Sequence, residues 1–155
     1  MPPILDDFDR RLLVALQQNA RLTGAELAEI VPLSPAACLR RVQRLRAEGV
    51  ILGEVAVVSP EAVGQALSVT ILVTVEAERR DLIEDFKRRM RRRPEVMMCF
   101  YVTGAVDFVV LATFADMADF EAFVGEELHE DRNVKRFETL VTMNRVKVGL
   151  SVPIP

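Results

Sequence analysis

The chain reads as an α+β protein: a three-helix helix-turn-helix unit followed by a ferredoxin-like β-α-β-β-α-β domain. Three observations predict this. Residues 6–49 hold three short helical patterns, with a tight turn between the second and third. Residues 68–148 then switch between period-2 and helical patterns in the order strand, helix, strand, strand, helix, strand. Finally, Arg40, Arg41, Arg44 and Arg46 gather on the third helix, although the whole chain carries a net charge of −3.

The elements follow in order. Asp6 is placed to cap a first helix, and Asp6, Asp7 and Asp9 suit its positive N-terminal end. Phe8, Leu12, Ala15 and Leu16 recur at helical spacing, and the helix is expected to end near Asn19. Thr23 and Glu26 form a capping box for a short second helix, which Pro32 ends. Ser34 as N-cap and Pro35 at the first helical position open the third, and Gly49 closes it. On that helix Cys38, Val42 and Leu45 face the core. The outer side carries Ser34, Pro35, Ala36, Ala37, Leu39, Arg40 and Gln43, with Arg41 and Arg44 on the flanks.

This pattern points to double-stranded DNA. Small residues at the start of the helix allow close entry into the major groove. Arg40 is the candidate for a two-bond guanine contact. Arg41, Arg44 and the Ser34 hydroxyl are candidates for phosphate contacts. Residues 1–53 hold seven arginines against six acids, whereas residues 54–155 hold thirteen basic and seventeen acidic residues. Positive charge is thus concentrated where the motif lies.

Residues 50–58 read as a strand, and Ser59 to Gly64 as a short capped turn. The expected domains are 1–53 for DNA binding, 54–65 as a strand and turn link, and 66–155 as a ferredoxin-like domain that dimerises. In the last of these, 68–76 is a strand with Val69, Ile71, Val73 and Val75 inward. Residues 80–92 form a helix burying Ile83, Phe86 and Met90. Strands over 96–103 and 108–114 form a hairpin around Gly104. Asp116 caps a helix burying Phe120, Phe123, Val124 and Leu128, and a long last strand runs from 133 to about 148. The other sheet face carries Leu72, Met97, Val109 and Leu111, which predicts a homodimer joining two sheets.

Other signals are bland. Cys38 and Cys99 match no metal or redox spacing and read as core residues in a reducing, cytoplasmic setting. Residues 1–5 lack a leader pattern, and no apolar run reaches the roughly 18 residues of a membrane span. The sequence shows no nucleophile–base pair, phosphate loop or metal cluster, so neither a catalytic site nor a metal nor a cofactor is expected. Residues 87–93 are basic at six of seven positions and read as a solvated helix end. His129 among acids reads as an exposed helix end. A regulator of transcription is the leading expectation. A ligand-independent protein that organises DNA is the alternative.

The chain resembles the Lrp/AsnC (feast/famine) family of transcription regulators along nearly its whole length. The resemblance is carried by residues 5–10, by Glu26-Leu27-Ala28, by Leu33-Ser34-Pro35 with Cys38, and by Arg40-Arg41-Val42 and Arg44-Leu45. It continues through Gly49-Val50-Ile51, Pro60, Gly64 and Val102-Thr103-Gly104 with Asp107. It implies a winged-type DNA reader and a second domain that binds a small effector, usually an amino acid, between subunits. It also implies dimers that can assemble to tetramers or octamers. The effector positions carried over are Tyr101, Thr103, Gly104, Ala105, Val106 and Asp107. Gly104 lets backbone amides approach a carboxylate, and Asp107 suits an ammonium group. The sequence departs from the family at Pro32, Leu39 and Glu54.

Overall fold

The computed structural model describes residues 4–155; the leader reading of residues 1–3 lies outside them. The chain divides into two compact units. The first comprises the described residues up to Val57 together with Lys147–Pro155, and the second comprises Val58–Val146.

The first unit is helical: α1 spans Asp7–Gln18, α2 Gly24–Ile30 and α3 Pro35–Ala47. Each begins on a side-chain cap. Asp6 and Asp9 form a reciprocal capping box at α1, as Thr23 and Glu26 do at α2. Ser34 caps α3, accepting from the Ala37 amide at 3.2 Å. At the end of α3 the amide of Val50 donates to Leu45 O (2.9 Å) and that of Gly49 to Arg46 O (3.1 Å). This is a Schellman closure, and the φ of +71° at Gly49 is what requires glycine there. Leu12, Leu27, Val31, Cys38 and Val42 form the core.

The expected strand over 50–58 is not formed. Ile51 packs on the core of the first unit, but from Leu52 onward the side chains stand in solvent, with Leu52 95 % and Val57 86 % exposed. A strand requires hydrogen-bonding neighbours, and the described residues offer none to this segment. The turn that follows is present. Ser59 Oγ accepts from the Ala62 amide, a 3-10 turn spans Glu61–Val63, and Gly64 closes it with a left-handed φ.

The second unit is a four-stranded antiparallel sheet in the order β2-β3-β1-β4. Its strands are β1 (Leu67–Val75), β2 (Val96–Tyr101), β3 (Phe108–Phe114) and β4 (Val134–Val141). Helices α4 (Arg80–Arg92) and α5 (Met117–Val124) supply the rest of the ferredoxin-like pattern, and a single π-helical turn, Gly125–His129, extends α5. One sheet face and the two helices enclose Ile71, Val73, Phe86, Phe108, Phe114 and Phe123. The other face leaves Met97 and Phe100 about half exposed, with Leu72, Val109 and Leu111 partly so. Two strands are shorter than expected. β4 stops at Val141, which pairs with Val69 near the start of β1. One further bond, from the Thr142 amide to Ser68 O at 2.9 Å, closes the ladder, and past it the pattern that continues to 148 finds no strand partner among the described residues. β2 ends at Tyr101, where the hairpin loop takes over.

No described helix is long and apolar enough to cross a membrane. Cys38 is buried in the core of the first unit, and Cys99 is half-buried, its thiol pushed up mainly by burial.

Candidate DNA-reading face and effector loop

The outer face of α3 is open. Ser34, Pro35, Ala36, Leu39, Arg40 and Gln43 are exposed, and Ala37 is partly so. Leu39 has a second role. A Cβ on Gly24 would lie 2.9 Å from Leu39 Cγ and from Pro35 O, so the absence of one lets α2 and α3 close to contact distance. The close turn of the motif therefore depends on Gly24, which sequence reasoning did not single out.

The arginines of α3 divide into two kinds. Arg40 has no ion pair among the described residues. Arg46 pairs with Glu54. Arg41 and Arg44, expected to be free for phosphate, are instead bound to α1. Arg41 Nη1 donates to Asp6 Oδ2 at 2.7 Å and to Asp9 Oδ1 at 2.9 Å, and Arg44 Nη2 donates to Asp9 Oδ2 at 2.5 Å. Asp9 is 1 % exposed. The amide of Asp9 holds the Asp6 carboxyl below the usual carboxylate range, and Arg41 adds to the effect. Both guanidiniums are pushed up by these carboxylates. Sequence reasoning saw the three acids only as partners of the helix end. The matching i, i+3 spacing of Asp6/Asp9 and Arg41/Arg44 was the signal available.

The candidate effector positions share one end of the sheet of the second unit. Tyr101 closes β2, and its ring lies 5.0 Å from that of Phe108. Its hydroxyl donates to Glu78 Oε2 at 3.1 Å, and Lys87 Nζ sits 4.8 Å from the ring centre. Glu78 and Lys87 thus join the constellation. The Glu78 carboxylate raises the Tyr101 phenol above its ordinary range. Thr103, Gly104 and Ala105 are exposed, and Gly104 has a φ of +140°. The amides of residues 103–106 have no backbone partner among the described residues. Asp107 is more constrained than expected. One of its oxygens accepts from the Val75 amide at 2.7 Å, and its own amide donates to Val73 O at 2.9 Å. Asp107 therefore fastens the loop to β1 through one of its oxygens.

The basic run over 87–93 is largely matched. Lys87 pairs with Glu84 and Arg88 with Asp85. Arg89 reaches Asp85, Glu127 and Asp131, while Arg93 reaches Glu126 and Glu127. His129 is exposed and edge-on to Phe137 at 5.4 Å. Among the described residues no three His, Cys, Asp or Glu side chains converge as a metal site.

Comparison with known proteins agrees with both halves of this description. The AsnC-type helix-turn-helix domain matches residues 5–46, and the Lrp/AsnC ligand binding domain matches residues 68–152. An HTH-type transcriptional regulator of Sinorhizobium fredii is 46 % identical over 150 residues, covering 97 % of this chain and 89 % of that protein. The leucine-responsive regulatory protein of Escherichia coli is 33 % identical over 143 residues, covering 92 % and 87 %. Among solved structures, the L-Met complex of a transcriptional regulator from Neisseria meningitidis superposes with a TM-score of 0.89. It is 37 % identical and covers 97 % of both chains. The chain belongs to the Lrp/AsnC family of transcriptional regulators, with a helix-turn-helix DNA-binding domain followed by a ligand-binding domain.

Proposed function

We propose that the chain regulates transcription from the cytoplasm by reading a DNA sequence with α3 and by responding to an amino acid held at residues 101–107. The observation that carries the first part is the unpaired Arg40 on a face of small residues. A guanidinium free of carboxylates presents both donors needed for a guanine. Ser34, Pro35, Ala36, Ala37, Leu39 and Gln43 surround it as the groove-facing surface. Arg41 and Arg44 flank that surface.

The second part rests on the loop. Unpartnered amides around Gly104 suit a carboxylate, and the free oxygen of Asp107 suits an ammonium group. Tyr101, Thr103, Ala105 and Val106 border the same space. The L-Met complex of the Neisseria meningitidis regulator supports an amino acid as the ligand class. The partly exposed apolar sheet face, with Leu72, Met97, Val109 and Leu111, supports a homodimer joined through it, which can assemble further. Twofold symmetry then sets two α3 helices about one DNA turn, roughly 34 Å, or a multiple of it apart.

The test is a thermal-shift screen of the twenty amino acids, followed by DNA titrations with and without any hit. A ligand selective for the native state raises the melting temperature. It must also change DNA affinity or oligomer size, because regulation requires unequal affinity for two states. A hit that changes neither contradicts the regulatory reading.

A further inference from the structure

We propose that Asp9 sets the DNA selectivity of this regulator by keeping Arg41 and Arg44 out of contact with phosphate. The inference rests on the reading that α3 enters DNA, and adds to it a residue on another helix that faces no groove.

The Asp9 carboxylate lies at the centre of the charge cluster between α1 and α3. It is 1 % exposed, and both oxygens are engaged. Oδ1 accepts from Arg41 at 2.9 Å; Oδ2 accepts from Arg44 at 2.5 Å and from the Asp6 amide at 3.2 Å. Asp6 adds a second carboxylate on Arg41 at 2.7 Å, and the Arg41 guanidinium also lies over the Phe8 ring at 5.4 Å. Two acids and two cations cancel. The arginines reach toward solvent, with side chains 28 % and 43 % exposed, but Asp9 cannot follow them. An arginine that swung out to a phosphate would leave a buried carboxylate short of its partner, which is strongly unfavourable. The pairs therefore persist on DNA.

The consequence concerns specificity. Attraction to DNA of any sequence comes from unpaired cations that displace counterions at phosphates. Selectivity is the ratio of operator to random binding. Neutralising two of the four arginines on α3 lowers the sequence-independent part and leaves Arg40 to read a base. Asp9 is thus a positioning residue that acts through Arg41 and Arg44.

The test uses the full chain, one duplex enriched from a random pool and one shuffled duplex, titrated across salt. Asp9→Asn releases Arg44. The slope of log K against log salt should then steepen by about 0.9, the value for one added phosphate contact. Shuffled-duplex affinity near 0.1 M salt should rise roughly fivefold and the operator-to-shuffled ratio should fall. Adding Arg44→Gln to Asp9→Asn should restore the original slope, which a purely structural role for Asp9 does not predict. An unchanged slope and ratio in a folded Asp9→Asn protein overturns the proposal. Side-chain NMR of the wild-type arginines decides the matter should Asp9→Asn not fold. On adding duplex, the Nε signal of Arg40 should move while those of Arg41 and Arg44 stay. Movement of Arg41 or Arg44 along with Arg40 overturns the role of Asp9 alone. Movement of none of the three overturns the reading of α3, and the proposal with it.

Discussion

Helices α3 and α4 look alike as strings of arginine, and the structure uses them differently. In α4 the cations Lys87, Arg88 and Arg89 meet carboxylates, as does Arg93 at its C-cap, and Arg89 and Arg93 tie the helix to the turn after α5. In α3 the cations Arg41 and Arg44 are tied back to α1, but Arg40 stands alone on a surface of Ser, Pro and Ala. A basic stretch therefore does not by itself make an unpaired cationic surface. What distinguishes the two helices is a cation left unpaired where the backbone can approach a partner closely. Arg91 and Arg92 of α4 are exposed, but they sit among matched charges and lack such a face.

The largest expected effect separates the helices by stability. Arg89 donates to the side chain and backbone carbonyl of Glu127, at 2.8 and 2.9 Å, and Glu127 is 8 % exposed. Arg89→Ala should destabilise the second unit by about 2–3 kcal/mol, because it leaves a buried carboxylate underpaired. Urea denaturation measures this, and DNA binding at temperatures where the fold persists should be unchanged. A loss of DNA affinity with stability intact would put α4 on the DNA and erase the contrast.

Packing beneath α3 comes next. Gly24→Ala places a methyl 2.9 Å from Pro35 O, a backbone atom that cannot move alone. The expected cost is about 2 kcal/mol from overpacking. DNA affinity should fall as well, since α3 must shift against α2. Affinity that survives the substitution would show that the pose of α3 does not depend on this contact. Thr23→Ala should cost less, about 1 kcal/mol for a lost N-cap. A melting temperature that does not change would mean that Glu26 alone caps α2.

The smallest effects are those of pH, and they oppose one another in the two units. Asp6 titrates below its ordinary value of 3.8 because the Asp9 amide and Arg41 favour its charged form. Its contribution is present above that value and is lost as pH falls through the lowered one. Tyr101 titrates above its ordinary 10.0 because Glu78 accepts its proton in a hydrogen bond and disfavours the phenolate. Its contribution is complete below 10.0 and is lost as pH rises through the raised value. Asp6→Asn should therefore flatten the acid limb of the stability curve of the first unit. Tyr101→Phe should flatten the alkaline limb of the second. Either limb unchanged by its substitution would remove the corresponding contact from the account.

Much of the architecture was legible because it is local. Helix α4 and strand β3 begin and end where their periodicity predicts, and Asp6, Thr23, Ser34 and Asp116 all cap the helices that follow them. The strands expected over 50–58 and past Thr142 were not legible in this way. An apolar alternation states a preference, whereas a strand needs a neighbour, and the described residues supply none there. The site shows the same division. The open face of α3 follows from its own helical repeat. The Asp9 pairs join residues 32 and 35 positions apart, and the anchoring of Asp107 on Val75 spans 32. Such pairs depend on how elements dock, which periodicity does not encode.

The central claim is that Arg40, and not arginine content, marks the DNA-reading surface. The most direct measurement compares Arg40→Ala with the double variant Arg91→Ala/Arg92→Ala on the same duplex across a salt series. The account predicts that Arg40→Ala lowers specific affinity by about tenfold or more, as loss of a base-contacting arginine should, while the α4 double variant stays within about twofold of wild type. Equal losses, or a larger loss from α4, would contradict it.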